Sequence, residues 1–412
     1  MCYAIPGKIA EINGRVATVE YFGEKRRAYT DLVDELTVGD NVYAQGGFVI
    51  RKISNEEASE VLELWKDIFF KLQEQDKKLA ANPKNLYERA NAIRAEKQDN
   101  SCCVHGIIEF SNYCRQDCLY CGIRAGNKDI QRYRMEISDI LSAVDEAVAH
   151  GFQALVLQSG EDPYYDDDKL EAIVKTIRTR HPVLIFMSVG ERSVDAYQRM
   201  YNAGARGALL RFETSNEEIY KKVKPPFCKG GEGGLGQRLS LIHSLKEMGY
   251  LIVSGFLLGL PGQTNEDIMK DIKMTADLGT EMFSFGPFIP HPNTPLASPS
   301  PLGGEGRGEG GIKSPTLTKV LDVTARARIM YPDAKILVTT ALETLWGLDG
   351  AKQGLMAGAN SLMINVTPKK YRRLYDIYPD RFGTEMEIQE HINTVIDLLR
   401  GIGRAPTDLS VR

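Results

Sequence analysis

Three cysteines fall within eight residues, in the segment Phe110-Ser-Asn-Tyr-Cys114-Arg-Gln-Asp-Cys118-Leu-Tyr120-Cys121-Gly122. Thiolates are soft donors suited to iron–sulfur clusters and zinc. Three so close together, spaced C-x3-C-x2-C, can hold three irons of a cubane 4Fe–4S cluster, whereas an electron-transfer cluster takes four cysteines. The missing fourth ligand would leave one iron open to a small molecule, by the logic that separates catalytic from structural metal sites. The competing readings are three cysteines buried without a ligand, or a zinc site completed by a distant residue. The chain has seven cysteines, an odd number and a poor disulfide framework, which suits a reducing compartment. Of the other four, adjacent Cys102 and Cys103 read as packing, Cys228 as an incidental thiol in a Gly-rich tract, and Cys2 is discussed below. The six histidines contain no H-x3-H pair. His291, in a Pro-His-Pro loop, is the best placed, with loop shaping as an equal alternative, and Asp166–Asp168 reads as a solvated helix start.

The cysteine segment directly follows a candidate strand, Gly106–Phe110, the first of eight. The others are Ala154–Gln158, Val183–Ser188, Ala208–Phe212, Leu251–Leu257, Met282–Phe285, Ile336–Thr339 and Leu362–Asn365. They are short, rich in Val, Ile, Leu and Phe, and mostly lack polar alternation, as strands buried on both faces do. Helical stretches lie between and after them: Ser138–His150, Lys169–His181, Val194–Ala203, Asn216–Val223, Arg238–Met248, Asn265–Leu278, Leu317–Met330 and Glu343–Ala357. Eight such units predict an α/β fold, a (β/α)8 TIM barrel over 83–412, with an open doubly wound sheet as the alternative. In such barrels the loops at the strands' C-terminal ends carry the chemistry, which puts the three thiols over the mouth.

Residues 1–53 read instead as short β segments, Lys8–Ile12, Arg15–Tyr21, Lys25–Tyr29 and Asn41–Ile50, with an Asn13-Gly14 hairpin signal, and predict a small OB-like β-barrel. Ser54, with Glu57 three residues on, predicts the N-cap of a connecting helix over 54–82. Eleven of the 38 glycines sit in two tracts. The insertions around them, near 228–236 and 298–313, are expected to be disordered surface loops without function.

The 51 Lys and Arg nearly balance the 55 Asp and Glu, which argues against general nucleic-acid affinity. No apolar run is long enough to span a membrane, and the start lacks the basic and apolar regions of a signal peptide. A cytoplasmic protein without a membrane partner is expected.

The cysteine triad, with an aromatic residue before its third Cys, resembles the radical S-adenosylmethionine (SAM) superfamily. Further blocks narrow this: Ile108–Cys114 (IEFSNYC), Arg132–Met135 (RYRM), Val156–Tyr165 (VLQSGEDPYY), Ser188–Glu191 (SVGE), Leu210–Thr214 (LRFET), Gly259–Thr264 (GLPGQT), Gly286–Leu296 (GPFIPHPNTPL) and Thr367–Pro379 (TPKKYRRLYDIYP). Together they resemble the HydE type, the radical SAM maturases of FeFe hydrogenases, over roughly 68–405. The resemblance implies one 4Fe–4S cluster on Cys114, Cys118 and Cys121, whose open iron SAM chelates. Reductive cleavage of SAM then yields a 5′-deoxyadenosyl radical, with ferredoxin or flavodoxin as reductant. Tyr120, Gln158, Ser159, Glu213 and Arg238 would bind the cofactor, Arg238 at its carboxylate, and Gly259–Gly262 would approach the adenosine. Ser188, Thr339, Thr340, Tyr371 and Tyr375 match positions around a cavity whose implied substrate is an iron–CO–cyanide–cysteine synthon. Capping by the threonines and packing by the tyrosines are the alternatives. Many relatives carry three more cysteines near the C-terminus for a second cluster, and none follows Cys228 here. The rival functions are a radical SAM mutase of the methylornithine synthase and biotin synthase group, and a non-catalytic iron–sulfur scaffold.

Met1–Ile9 (MCYAIPGKI), Val38–Asp40 and Gly47–Ile50 resemble HypC, a family of β-barrel chaperones that carry iron–CO–cyanide fragments. The resemblance implies Cys2 as an iron ligand and other hydrogenase-maturation proteins as partners. Gln45 stands where that family has His, and a surface Cys on a docking domain is the alternative. If Cys2 carries iron, Cys2→Ser should impair iron-fragment transfer and leave SAM cleavage intact.

Overall fold

The computed structural model describes residues 5–225, 234–297 and 314–407. Cys2, Cys228, residues 298–313 and most of the first Gly-rich tract lie outside the described residues.

The N-terminal strands are β1 (Gly7–Asn13), β2 (Val16–Tyr21), β3 (Glu24–Tyr29), β4 (Asn41–Gln45) and β5 (Phe48–Ile53). Asn13-Gly14 closes the β1–β2 hairpin, with Asn13 opposite Val16. The run expected as one strand over Asn41–Ile50 is two, reversed at Gly46 and Gly47, whose φ values of +59° and +84° suit glycine. The order β1-β2-β3-β5-β4 closes on itself through the β1–β4 pair, giving the five-stranded barrel. Alternate residues Ala17, Val19 and Tyr21 fill it.

Helix α1 (Asn55–Ala80) leaves this barrel with Ser54 as its N-cap, accepting from the Glu57 N–H at 3.1 Å. A helix without an expectation follows, α2 (Leu86–Gln98), capped by Asn85. Its buried residues include Asn91 and Arg94, so it shows no apolar stripe to find.

The second domain runs β6 (Cys103–Ser111), α3 (Ile137–Ala149), β7 (Ala154–Ser159), α4 (Asp167–Arg180), β8 (Leu184–Ser188), α5 (Val194–Ala203), β9 (Gly207–Leu209), α6 (Glu217–Val223), α7 (Leu235–Glu247) and β10 (Leu251–Ser254). It continues with β11 (Leu257–Leu258), α8 (Asn265–Asp277), β12 (Met282–Phe283), β13 (Gly286–Pro287), α9 (Leu317–Met330), β14 (Lys335–Ile336), α10 (Thr340–Met356), β15 (Ser361–Asn365), α11 (Lys369–Arg372) and α12 (Ile388–Gly401). Eight parallel strands form one sheet in chain order, from β6 through β7, β8, β9, β10, β12 and β14 to β15, which pairs back on β6. Its two remaining edges meet at one bridge, Leu337 with Ser361, so the sheet is a TIM barrel and not an open doubly wound sheet. Two expectations change. The strand expected over Leu251–Leu257 breaks after Ser254, where Phe256 turns to bridge Glu213, and resumes as β11 against β13. Gly234 precedes and Leu235 opens α7, so the end of the first Gly-rich tract starts a helix.

Along β6 successive side chains face opposite ways. Cys102, Val104, Ile108 and Phe110 pack outward in the main core, whereas Ile107 faces the barrel interior. The N-terminal barrel seals the bottom of this interior. Tyr43, Phe48, Ile50 and Ile53 share one apolar cluster with Ala154, Val156, Leu184, Phe186, Val253 and Met282. The turn at Gly46 comes so close that a Cβ there would lie 2.6 Å from the Leu184 side chain.

Candidate functional site

The segment between β6 and α3 crosses the opposite, C-terminal mouth and has no regular structure, so side chains hold it. Arg132 of the RYRM block donates to the carbonyls of Ile123 at 2.8 Å and Arg124 at 2.6 Å, and also bonds Asn112 O. Asn127 donates to Gly122 O at 2.7 Å, and Gly126 N–H to the Asp117 carboxylate at 2.8 Å. Beneath it Asp162 accepts from Ser111 Oγ at 2.7 Å and from Arg134 at 2.7 and 2.9 Å. At Gly160 a Cβ would lie 2.2 Å from Tyr113 O and 2.8 Å from Cys114 Cβ, so glycine lets the loop after β7 pass under the first cysteine.

Cys114, Cys118 and Cys121 are all free thiols on this loop. Glu161 N–H points at Cys114 Sγ from 3.4 Å. Burial pushes the Cys118 thiol up to about 12, against the pull of Lys224. Burial, and then Glu161, raises Cys114; burial and the two neighbouring sulfurs raise Cys121 well above the thiol range. Metal binding here therefore displaces protons. Among the described residues no three His, Cys, Asp or Glu side chains converge on one ion position. A cubane, in which each cysteine binds a different iron, requires no such convergence.

Cys118 and Cys121 open onto a cavity of about 320 Å³ inside the barrel mouth. Of the residues expected around it, Tyr120, Gln158, Ser188, Glu213, Thr339, Thr340 and Tyr375 line it. Gln158 Oε1 accepts from Ser188 Oγ at 3.1 Å. Thr339 Oγ1 is buried without a hydrogen-bond partner, and although Thr339 sits at the N-cap of α10 its side chain makes no capping bond. Burial pushes the Tyr120 and Tyr375 hydroxyls well above their ordinary range, so both are neutral.

Three expected residues are placed differently. Ser159 turns its hydroxyl to Gly160 O at 2.7 Å and is not among the cavity-lining residues. Tyr371 stacks on Tyr133 and donates to Asp139 on α3 at 2.6 Å, also away from the cavity lining. Arg238 is buried behind the wall, where its Nε meets Glu191 at 2.8 Å and its Nη1 donates to Arg211 O at 2.7 Å. Burial would raise the Glu191 carboxyl, but Arg238 and Lys224 hold it below its usual range. Arg211 itself lines the cavity and pairs with Glu213 at 2.9 Å. The Gly259–Gly262 block forms a turn closed by the Gln263 side chain, which accepts from Gly259 N–H at 2.8 Å. His291 bonds Asp376 at 2.9 Å and packs on Gly122, a loop-shaping role.

The sequence reading missed Arg211, Tyr378 and Arg381 in the cavity lining. Arg381 is held by the fully buried Glu109 carboxylate and by Tyr375 O at 2.7 Å. Glu109 also accepts from Asn365 at 2.8 Å. The tyrosines and Arg381 stand on the irregular stretch after α11, where no periodicity marks an inward face.

Far below, at the barrel bottom, Gln45 Nε2 lies 3.5 Å from Cys103 Sγ, which in turn lies 3.5 and 3.7 Å from the two ring nitrogens of His105. Cys102 is a buried core residue.

Comparison with known proteins agrees with this architecture. The HupF/HypC family model matches residues 1–65, and the Radical SAM superfamily model matches residues 108–275. The FeFe-hydrogenase maturase subunit HydE of Thermotoga maritima is 38% identical over 322 residues, 78% of this chain and 86% of that protein. The hydrogenase maturation factor HypC of Helicobacter hepaticus is 40% identical over 78 residues, 18% of this chain and 91% of its own. Among solved structures, methylornithine synthase superposes with a TM-score of 0.65 at 22% identity, covering 82% of this chain and 97% of that one, which speaks for the fold.

Proposed function

The chain belongs to the family of the FeFe-hydrogenase maturase subunit HydE, as a radical SAM enzyme with a HypC-like domain ahead of its barrel, and from that premise we propose that it acts on an iron–CO–cyanide–cysteine synthon during hydrogenase cofactor assembly. The superfamily works with a 4Fe–4S cluster and SAM. Bound at the mouth, these supply reductive cleavage of SAM to methionine and a 5′-deoxyadenosyl radical.

Cys114, Cys118 and Cys121 hold the cluster. Tyr120, Gln158, Arg211 and Glu213 grip SAM at the cavity wall, where the Arg211 guanidinium suits its carboxylate. Arg238 acts one step back: its bond to the Arg211 carbonyl and its pair with Glu191 fix the wall that carries Arg211 and Glu213. Below, Ser188, Thr339, Thr340, Tyr375 and Arg381 offer hydroxyl and guanidinium donors, which suit a substrate bearing a carboxylate and cyanide. Ile107, Leu209, Leu337 and Met363 give the cavity an apolar floor that offers water no hydrogen-bond partners. The HypC-like domain, with Cys2 as its iron ligand, exchanges the iron fragment with other maturation proteins in the cytoplasm. No helix among the described residues is long and apolar enough to cross a membrane.

The observation that carries this reading is that two thiols of the C-x3-C-x2-C motif open onto the same cavity as the Arg211–Glu213 pair and the Arg381 guanidinium. After anaerobic reconstitution with iron and sulfide, the reduced protein is expected to convert SAM to 5′-deoxyadenosine, and Cys118→Ala to lower that rate to background. Nucleoside release equal in the variant would refute the cluster assignment. A competent cleaving enzyme that fails to support activation of apo-FeFe-hydrogenase, and instead rearranges an amino acid, would place it with the mutases.

A further inference from the structure

The connecting helix α1 carries apolar residues on two sides, and the fold uses one of them. Ala58, Leu62, Phe69 and Leu72 turn toward the rest of the molecule, the last two within the apolar cluster of the N-terminal barrel. Val61, Leu64 and Ile68 follow one another along an adjoining side, and Leu79 continues their line three turns further on. From Val61 to Leu79 this row runs about 27 Å at 1.5 Å per residue. Leu64 is 72% exposed, Ile68 41% and Leu79 44%. Of the nine large apolar side chains exposed among the described residues, four stand on α1, three of them in this row. Single exposed apolar side chains need no account, but a row of them marks an interaction surface. Gln75, on the same side, donates to Gly401 O at 3.2 Å.

The charges along the helix say what covers the row. Residues 55–67 include five carboxylates and one lysine, whereas 68–80 include Lys71, Lys77 and Lys78 against Glu74 and the buried Asp76. A helix acidic in one half and basic in the other is complementary to itself turned end for end. The outer edge of the row repeats this pattern in Glu60, Asp67, Lys71 and Lys78, spaced seven, four and seven residues apart. Glu60, Asp67 and Lys71 make no ion pair among the described residues, and Lys78 pairs with Glu74 at the surface, 2.7 Å apart.

We propose that the chain forms a two-fold dimer in which α1 packs antiparallel against α1 of a second copy. Glu60 then faces the partner's Lys78 and Asp67 the partner's Lys71, and both pairs share one two-fold axis level with Phe69. In the same register Val61 falls within one residue of the partner's Leu79. Leu64 and Ile68 of both copies close the middle. The contact uses no residue of the mouth cavity and does not depend on the function proposed above.

Sedimentation velocity of the full chain over a concentration series tests the pairing. The parent is expected to shift to the mass of two chains as concentration rises. Leu64→Lys, at a position mostly in solvent, should return it to the mass of one. Orientation is read by charge exchange. The double variants Glu60→Lys with Asp67→Lys, and Lys71→Glu with Lys78→Glu, should each be monomeric alone, because like charges then face each other. Mixed, they set four lysines against four carboxylates along this edge, so the doubled mass should return. Melting followed by circular dichroism, expected to match the parent monomer's, is the control for folding. A parent with the mass of one chain at every concentration overturns the dimer and leaves the row to a different protein. A dimer that survives Leu64→Lys, that ignores both charge variants, or that fails to return on mixing overturns the antiparallel contact.

Discussion

A hydroxyl buried without a hydrogen bond costs about 1–3 kcal/mol, and Thr339 Oγ1 has no protein partner, which leaves it available to whatever enters the cavity. The residue opens α10, yet its side chain leaves the helix uncapped and the residue lines the cavity beneath the cysteines. A substrate oxygen or nitrogen is the partner that would offset the cost. Thr339→Val keeps the shape and removes the polar atom. Its stability should equal the parent's or exceed it by up to about 1 kcal/mol, whereas a lost bond to a charged substrate group, about 1.5–3 kcal/mol, should weaken binding roughly 10- to 150-fold. Calorimetric melting together with the substrate concentration dependence of turnover separates the two effects. A destabilised variant with unchanged turnover would return Thr339 to a structural role.

At the scale of elements, what could be read in advance follows from burial. The eight barrel strands are apolar on both faces and therefore stand out as short hydrophobic runs, even where the final pairing shrinks to one bridge. The cysteines were legible from their spacing just after the first strand, and Gln158 and Glu213 only through the family blocks around them, because polarity at a barrel rim is ordinary by itself. Arg381, Glu109 and α2 were not. Arg381 sits in an aperiodic stretch, Glu109 looked like one more strand residue, and α2 buries charge in place of a stripe. That charge has a purpose visible only in three dimensions. Asp76 on α1 accepts from Arg94 of α2 at 2.6 and 2.7 Å and from Arg404, beyond α12, at 3.0 Å, with all three side chains at most 2% exposed. One carboxylate thus ties the connecting helix to both ends of the barrel chain. Asp76→Asn leaves two buried guanidinium groups without it and should cost about 3–5 kcal/mol, read as a lower denaturation midpoint at unchanged slope. A loss below 1 kcal/mol would mean that the cluster is not what anchors the linker.

For the molecule as a whole, the decisive fact is which end of the barrel the N-terminal domain occupies. It closes the bottom, while the cysteines lie at the top, and Ile107, Leu337 and Met363 are shared by the cavity lining above and the apolar cluster below. The domain docked there stands apart from the thiols at the mouth, with the apolar interior of the barrel between them. Its attachment is also more than a tether, because Tyr43, Phe48, Ile50 and Ile53 complete a core that the barrel does not close by itself. A chain beginning at residue 54 would bare Ala154, Val156, Leu184, Phe186, Val253 and Met282 to water. Each fully buried large apolar side chain contributes about 1.5–3 kcal/mol, so the loss is comparable with the whole stability of an ordinary domain. The truncated barrel should aggregate, or melt well below the full chain, by light scattering and calorimetry, although every residue of the mouth is retained. If it stayed monomeric and melted with the parent, the two modules would be independent bodies, and the bottom of the barrel would need no cover.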